Sequence, residues 1–297
     1  MKKRFVLDNG QVVYVGERKP KRSLPFKLMT AFMWVWALSL ALVFCWGVLV
    51  SFNDGIYYSA DMSKIFPKVW RVQNYLDAFT ALKIENTNFW GMTWNSIWFS
   101  TSFSVIKVGV TAMGAYVTAR YTFKARKFLY AFIVVQMMLP QYGTTVANYK
   151  LLDNLGLIDT PLQMIAFGAG HGMMFLMVYS FFVNLPSDYE DAGRIDGASE
   201  YVLCFKLMMP MATPMIVAMT IAIWTGMWNN SEHPLLYLPS YPTLASGIFR
   251  YRYVAAYTLD IPIYFAGIVM SAIPPTVIFM IFSDTIMKNM TVGGLKG

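Results

Sequence analysis

Six stretches of this chain, at roughly 28–50, 94–118, 126–146, 162–184, 211–231 and 263–284, are apolar over the about 20 residues a helix needs to cross the hydrocarbon core of a bilayer. In lipid no water reaches an exposed N–H or C=O, so a spanning segment must satisfy its backbone internally, as a helix does. The pattern predicts an all-α integral membrane protein of six transmembrane helices. Charge usage agrees: 57% of the 297 residues are hydrophobic and 13% charged, where soluble domains carry about 25% charged residues.

Orientation follows from lysine and arginine. Lys2, Lys3, Arg4, Arg18, Lys19, Lys21, Arg22 and Lys27 precede the first span, against Asp8 and Glu17, a bias that holds the N-terminus in the cytoplasm. Arg120, Lys124, Arg126 and Lys127 place the loop after the second span on the same side, and an even count brings the C-terminus there too. The chain then divides into a basic cytoplasmic segment, 1–27, a first helix with a long extracytoplasmic loop, 28–93, and a core of five helices, 94–297. The basic segment is too long, and residues 47–51 too poor a small-x-small site, for a cleaved signal peptide. The first helix is expected to remain as an anchor.

The net charge of +8 lies mostly in cytoplasmic loops, where anionic headgroups account for it, so no nucleic acid is expected as a partner. Cys45 falls in a span and Cys204 in a cytoplasmic loop, so no disulfide is expected. Two histidines and two cysteines without paired spacing give no basis for a metal site. There is neither a Gly-rich phosphate loop nor a nucleophile elbow.

Between the fourth and fifth spans lies a polar island, Ser187-Asp188-Tyr189-Glu190-Asp191-Ala192-Gly193-Arg194-Ile195-Asp196-Gly197-Ala198, closing at Leu207-Met208-Met209-Pro210. So charged a strip cannot sit in hydrocarbon and belongs at the membrane surface. It reads as two short helices, with Ser187 and Glu190 at capping-box spacing and Gly197 placed to end a helix in the left-handed conformation. An amphipathic connector and a docking element fit this spacing equally well.

The strip resembles the "EAA" loop of bacterial ABC importer permeases: Asp191-Ala192-Gly193 stands for Glu-Ala-Ala, Gly197 falls at the required place, and Leu207-Met208-Met209-Pro210 closes the pattern. Asp191, Gly193 and Met209 depart from the consensus. Asn95-Ser96, Ala115-Tyr116, Ala119-Arg120-Tyr121-Thr122-Phe123-Lys124, Leu155-Gly156-Leu157-Ile158-Asp159-Thr160-Pro161, Trp228-Asn229 and the terminal Gly293-Gly294-Leu295-Lys296-Gly297 are similar to the MalG-like subunits of the carbohydrate-uptake branch. The likeness runs from about residue 94 to the end, and residues 1–93 match only in outline.

The resemblance implies the type I importer architecture in a bacterial inner membrane, multi-pass, with both termini cytoplasmic. It implies a non-catalytic subunit forming half of the path for a sugar, most of all an oligosaccharide. Its partners would be a second, MalF-like permease, two ATPase subunits that hold ATP and Mg, and an extracytoplasmic solute-binding protein. No cofactor is then expected in this chain. Loop 187–210 would couple to the ATPase: Glu190, Asp191, Arg194 and Asp196 by charge and hydrogen bonds, Ala192 and Ala198 with Ile195 by packing, and Gly197 as the turn. Tyr241, Arg250, Tyr251, Arg252 and Tyr253 would form the "scoop" that reaches the binding protein.

For the solute itself, the residues offer two routes. Lys107 and His171 fall near the middle of the second and fourth spans, where charge is costly and usually functional, and their positive character suits an acidic saccharide. Trp224, Trp228, Asn229 and Asn230, at the outer end of the fifth span, suit a neutral one. Pro274-Pro275 in the last span is expected to bend it, as a gate or as static packing. A secondary, ion-coupled transporter is the alternative from another class; it calls for membrane-embedded carboxylates and an inverted repeat, which the sequence lacks.

Overall fold

The computed structural model describes residues 2–6, 12–16, 24–63, 65–139, 143–168 and 172–290. Their regular elements are helices, as the all-α reading expects, with one short hairpin added at the N-terminus, β1 (Lys2–Val6) paired antiparallel with β2 (Val12–Gly16). The alternation around Val12-Val13-Tyr14-Val15 is its local cause, since a period of two suits a strand. The chain forms two compact units, residues 1–48 and 49–297. The first holds the hairpin and most of α1 (Leu24–Ser51), which is 28 residues long and apolar enough to cross a membrane.

In the second unit α4 (Phe89–Arg120), the continuous helix Glu200–Trp228 and the Ile261–Ser283 part of α14 (Ile261–Met290) are also long and apolar enough to cross. The segment expected as the third span, 126–146, holds α5 (Arg126–Met138) and only the start of α6 (Thr144–Asn154), most of which lies in the stretch after that span; the segment expected as the fourth holds two shorter helices, α7 (Gln163–Phe167) and α8 (Gly172–Asn184). The first break has a local cause. Leu139 turns extended, φ −75° and ψ 132°, because the proline that follows it disfavours the helical region for the residue before.

α4 is the central helix. It buries Phe99, Phe103 and Tyr116 against α8 and the helix ending at Trp228, with Phe182 and Met208 closing the core. Ser96, Ser100, Ser104, Thr111 and Thr118 are buried along it as well, small side chains that let neighbouring backbones come close.

A second core lies at the other end, where α3 (Gln73–Ala81) and α13 (Leu244–Thr258) pack with the first turns of α4 and α14 around Leu82, Phe89, Met92, Trp228, Leu244 and Ala255. The loop expected at 51–93 is therefore folded. Asp54 caps α2 (Gly55–Ala60), accepting the N–H groups of Ile56 and Tyr57 at 3.1 Å each, and also accepts from Arg71 Nη1 at 2.7 Å. Buried Asn74 donates from Nδ2 to the carbonyls of Ser51 and Asn53, each at 2.8 Å.

Prolines shape the last two long helices in different ways. Of the two short helices expected over 187–210, the first is present as α9 (Asp188–Ile195), while the second, α10 (Glu200–Val202), does not end but runs through a π-helical turn, Leu203–Met208, directly into α11 (Met209–Trp228). In that turn the N–H of Met209 reaches back five residues to the carbonyl of Cys204, and the widened turn gives the ring of Pro210 room against the preceding turn. α14 stays helical through Pro274 and Pro275. Pro275 has no N–H for the carbonyl of Ser271, one turn back, and the indole of Trp228 on α11 donates to that carbonyl instead, at 3.0 Å.

Candidate functional site

The polar strip forms α9 (Asp188–Ile195), whose end is a Schellman turn. Gly197 takes φ +77°, its N–H donates to the carbonyl of Arg194 at 3.1 Å, and the N–H of Ala198 donates to that of Gly193 at 2.9 Å. The left-handed position read from sequence is in place. A Cβ on Gly197 would meet nothing within 4 Å, so the requirement is purely one of backbone conformation. Gly197→Asn should therefore leave stability in detergent nearly unchanged, while Gly197→Val should cost about 1–2 kcal/mol. Equal losses for both would show that some contact, not the left-handed turn, sets the requirement.

The capping box is not formed. Ser187 is helical, φ −66° and ψ −21°, and its side chain makes no cap. The cause is long-range: Glu190 is only 6% exposed, with Oε1 3.5 Å from Arg120 Nε and accepting from the hydroxyl of Tyr116 at 3.5 Å. Arg120 also donates from Nη2 to the carbonyl of Leu185 at 2.9 Å. Glu190 is thus corrected from a partner-facing residue to an internal anchor that ties α9 to the end of α4.

A second tie runs beside it. Arg194 Nε lies 3.3 Å from Glu200 Oε1, and the Tyr121 hydroxyl donates to Glu200 Oε2 at 2.6 Å. Asp191, Ala192, Arg194, Asp196 and Gly197 are exposed around Ile195, which is 86% exposed, and Ala198 is half-buried. Gly193, where the EAA pattern has alanine, lies close to the π turn: a Cβ there would come within 2.5 Å of Leu203 Cδ2. The departure from consensus has a steric correlate.

The motif Asn95-Ser96 pins the far loop. Asn95 Nδ2 donates to the carbonyl of Pro242 at 3.0 Å, and Ser96 Oγ accepts the N–H of Leu244 at 2.8 Å. Thr243 and Ser246 close a capping box at the start of α13. Of the residues expected to meet a binding protein, Tyr241, Arg250, Arg252 and Tyr253 are exposed. Tyr251 is not: it is buried in the outer core, one turn before Ala255, and is withdrawn from that set.

The candidate solute residues separate. Trp228 is 1% exposed, stacked on Trp224 with centroids 5.0 Å apart, and committed to Ser271; its role in this conformation is packing. Trp224 donates to Thr101 Oγ1 at 3.1 Å and borders a cavity of about 300 Å³ among α4, α11 and α14. Asn229 is exposed and caps its own helix through the carbonyl of Thr225, while Asn230 Oδ1 accepts the N–H of His233 at 2.8 Å. His171 and residues 293–297 lie outside the described residues.

Lys107 is half-buried, with Nζ 5.3 Å from the ring centroid of Phe103. His233, on α12 (Glu232–Tyr237), has its ring 5.4 Å from that same phenylalanine. Sequence reasoning passed over His233 and Gln163. Gln163 had a readable signal, a lone amide at the head of an apolar run; His233 lies in a stretch that reads as a loop, and only the fold, which makes it the short helix α12, brings it near Phe103 of α4.

The family described as "Binding-protein-dependent transport system inner membrane component" matches residues 110–291, more than half of the chain. The arabinooligosaccharides transport system permease protein AraQ of Halalkalibacterium halodurans is 31% identical over 224 residues, 75% of this chain and 80% of that protein. The diacetylchitobiose uptake system permease protein NgcG of Streptomyces coelicolor is 29% identical over 273 residues, 90% of this chain and 87% of that one. A chain from the crystal structure of a bacterial ABC transporter involved in the import of the acidic polysaccharide alginate shares the fold, with a TM-score of 0.73 over 90% of this chain and 99% of its own, at 17% identity. With α9 turned at Gly197 and anchored through Arg120, this chain belongs to the family of binding-protein-dependent transport system inner membrane components.

Proposed function

We propose that this chain is one permease half of an ATP-driven importer that takes an oligosaccharide from an extracytoplasmic binding protein. The observation that carries the reading is α9, a short helix with an exposed apolar centre at Ile195 and two polar ties to the end of α4. A push on such a helix is passed to α4 because Glu190 and Glu200 leave it little freedom to swing alone. The sugar follows from the relatives, whose names specify arabinooligosaccharides and diacetylchitobiose.

In this reading the chain crosses the membrane six times, with segments 126–146 and 162–184 supplying the third and fourth crossings and both ends in the cytoplasm. Two ATPase subunits hold ATP and Mg and receive Asp191, Ala192, Ile195 and Asp196. A second permease completes the path, and the exposed side of α13, with Arg250, Arg252 and Tyr253, meets the binding protein.

The test is recovery of the tagged chain from native membranes, followed by reconstitution with whatever accompanies it. ATP-dependent uptake requiring an ATPase, a second permease and a binding protein is the expected result. Recovery of this chain alone, with uptake driven by a proton gradient, would replace the reading with a secondary carrier.

A further inference from the structure

Within the spans described, Lys107 is the one charged side chain far from either helix end, and no carboxylate among the described residues pairs with it. An ammonium at such depth is costly without an anion or water. Its surroundings are polar beyond what the packing uses. His233 shares the ring of Phe103 with Lys107 and is walled by Phe99 at 5.5 Å, Phe167 at 4.8 Å and Tyr237 at 4.8 Å. Both of its ring nitrogens are buried without a hydrogen-bond partner. Gln163, one turn before Phe167 on α7, is 0% exposed, and neither its amide nitrogen nor its oxygen has a partner.

Buried polar atoms are nearly always satisfied in native proteins, and each orphan costs about 1–3 kcal/mol. Here a cation and an imidazole share the ring of Phe103, and an open primary amide lies one helical turn from Phe167, which walls that imidazole. We propose that Lys107, Gln163 and His233 are the station at which the solute's carboxylate is held, and that the solute is an acidic oligosaccharide of the uronic-acid class. The inference rests on the importer reading above.

The chemistry matches group by group. The ammonium takes the carboxylate in a charge-assisted hydrogen bond. The amide and the imidazole take ring hydroxyls, which donate and accept as those groups require. Phe103 and Phe167 offer apolar faces to the C–H side of a sugar ring, and must part for the solute to enter, a motion that alternating access supplies. A carboxylate from the partner permease would neutralise Lys107 but leave Gln163 and His233 open, which is why the solute is favoured as the source.

The test uses the reconstituted complex, with its binding protein, and two probes: trigalacturonate and neutral maltotriose. Wild type should take up trigalacturonate in an ATP-dependent manner. Lys107→Met should reduce that uptake at least about tenfold, and Lys107→Arg, which keeps the charge, should stay within about threefold of wild type. Uptake of maltotriose alone by wild type, or trigalacturonate uptake unchanged in Lys107→Met, would overturn the assignment while leaving the importer reading intact. Loss of the second permease from purified Lys107→Met would also overturn it, by making Lys107 an inter-subunit ion pair. ATP-dependent uptake of neither probe would overturn the uronic-acid assignment, while the importer reading would still be decided by the subunits recovered with the chain.

Discussion

Glu190→Ala is expected to destabilise the chain more than any other single truncation within α9, by about 3 kcal/mol or more. The two side chains are 8% and 12% exposed, and removing one partner of a buried pair strands the other charge away from water. Arg120 would keep its bond to the carbonyl of Leu185 but lose the one carboxylate that pairs with it among the described residues. Replacing both partners together, Arg120→Met with Glu190→Leu, should recover most of that stability, because the penalty belongs to the stranded charge. Coupling should not recover with it. An apolar pair packs α9 against α4 without fixing its direction, so stimulation of ATP hydrolysis by the binding protein should stay low in the double variant. The comparison needs denaturation in detergent and ATPase assays on the same three proteins: wild type, Glu190→Ala and the double variant. A double variant that regains coupling would remove the ion pair from the transmission route.

That anchor also marks where sequence reasoning stops. Gly197 was legible because a helix end needs one residue in a conformation glycine tolerates, a property of the local chain. The fate of Glu190 was not, since spacing offers it to Ser187, three residues away, whereas folding brings Arg120 from the end of a different helix. The long apolar helices were readable for the same local reason: length and apolar content alone make Leu24–Ser51, Phe89–Arg120 and Ile261–Ser283 long enough to cross. Residues 126–146 and 162–184 have similar composition, yet Leu139 before a proline and Gly168 at the end of α7 divide them. Tyr251 and Tyr253 illustrate the other limit. Two residues apart on one helix they face different surroundings, core and exterior, and only the register of α13 on its neighbours decides which.

Trp228 yields the second large effect, and its test separates a structural role from a solute-binding one. Trp228→Ala should cost about 3–5 kcal/mol through the cavity left in the outer core, and the Ser271 carbonyl would lose its donor as well. Trp228→Phe isolates that second part, keeping a ring in the cluster while deleting the N–H; its cost should be nearer 1 kcal/mol, as expected for a hydrogen bond between membrane helices. The carbonyl needs the indole because Pro275 cannot supply the usual backbone donor. Pro275→Ala restores that donor, so in its background Trp228→Phe should lose much of its effect on stability. If Trp228→Phe instead lowers uptake equally in both backgrounds, with stability unchanged, the indole faces the solute at some stage of transport. A shrinking effect would mean that one side chain of α11 completes the hydrogen bonding of α14, so that the two helices move as a pair wherever Pro275 bends.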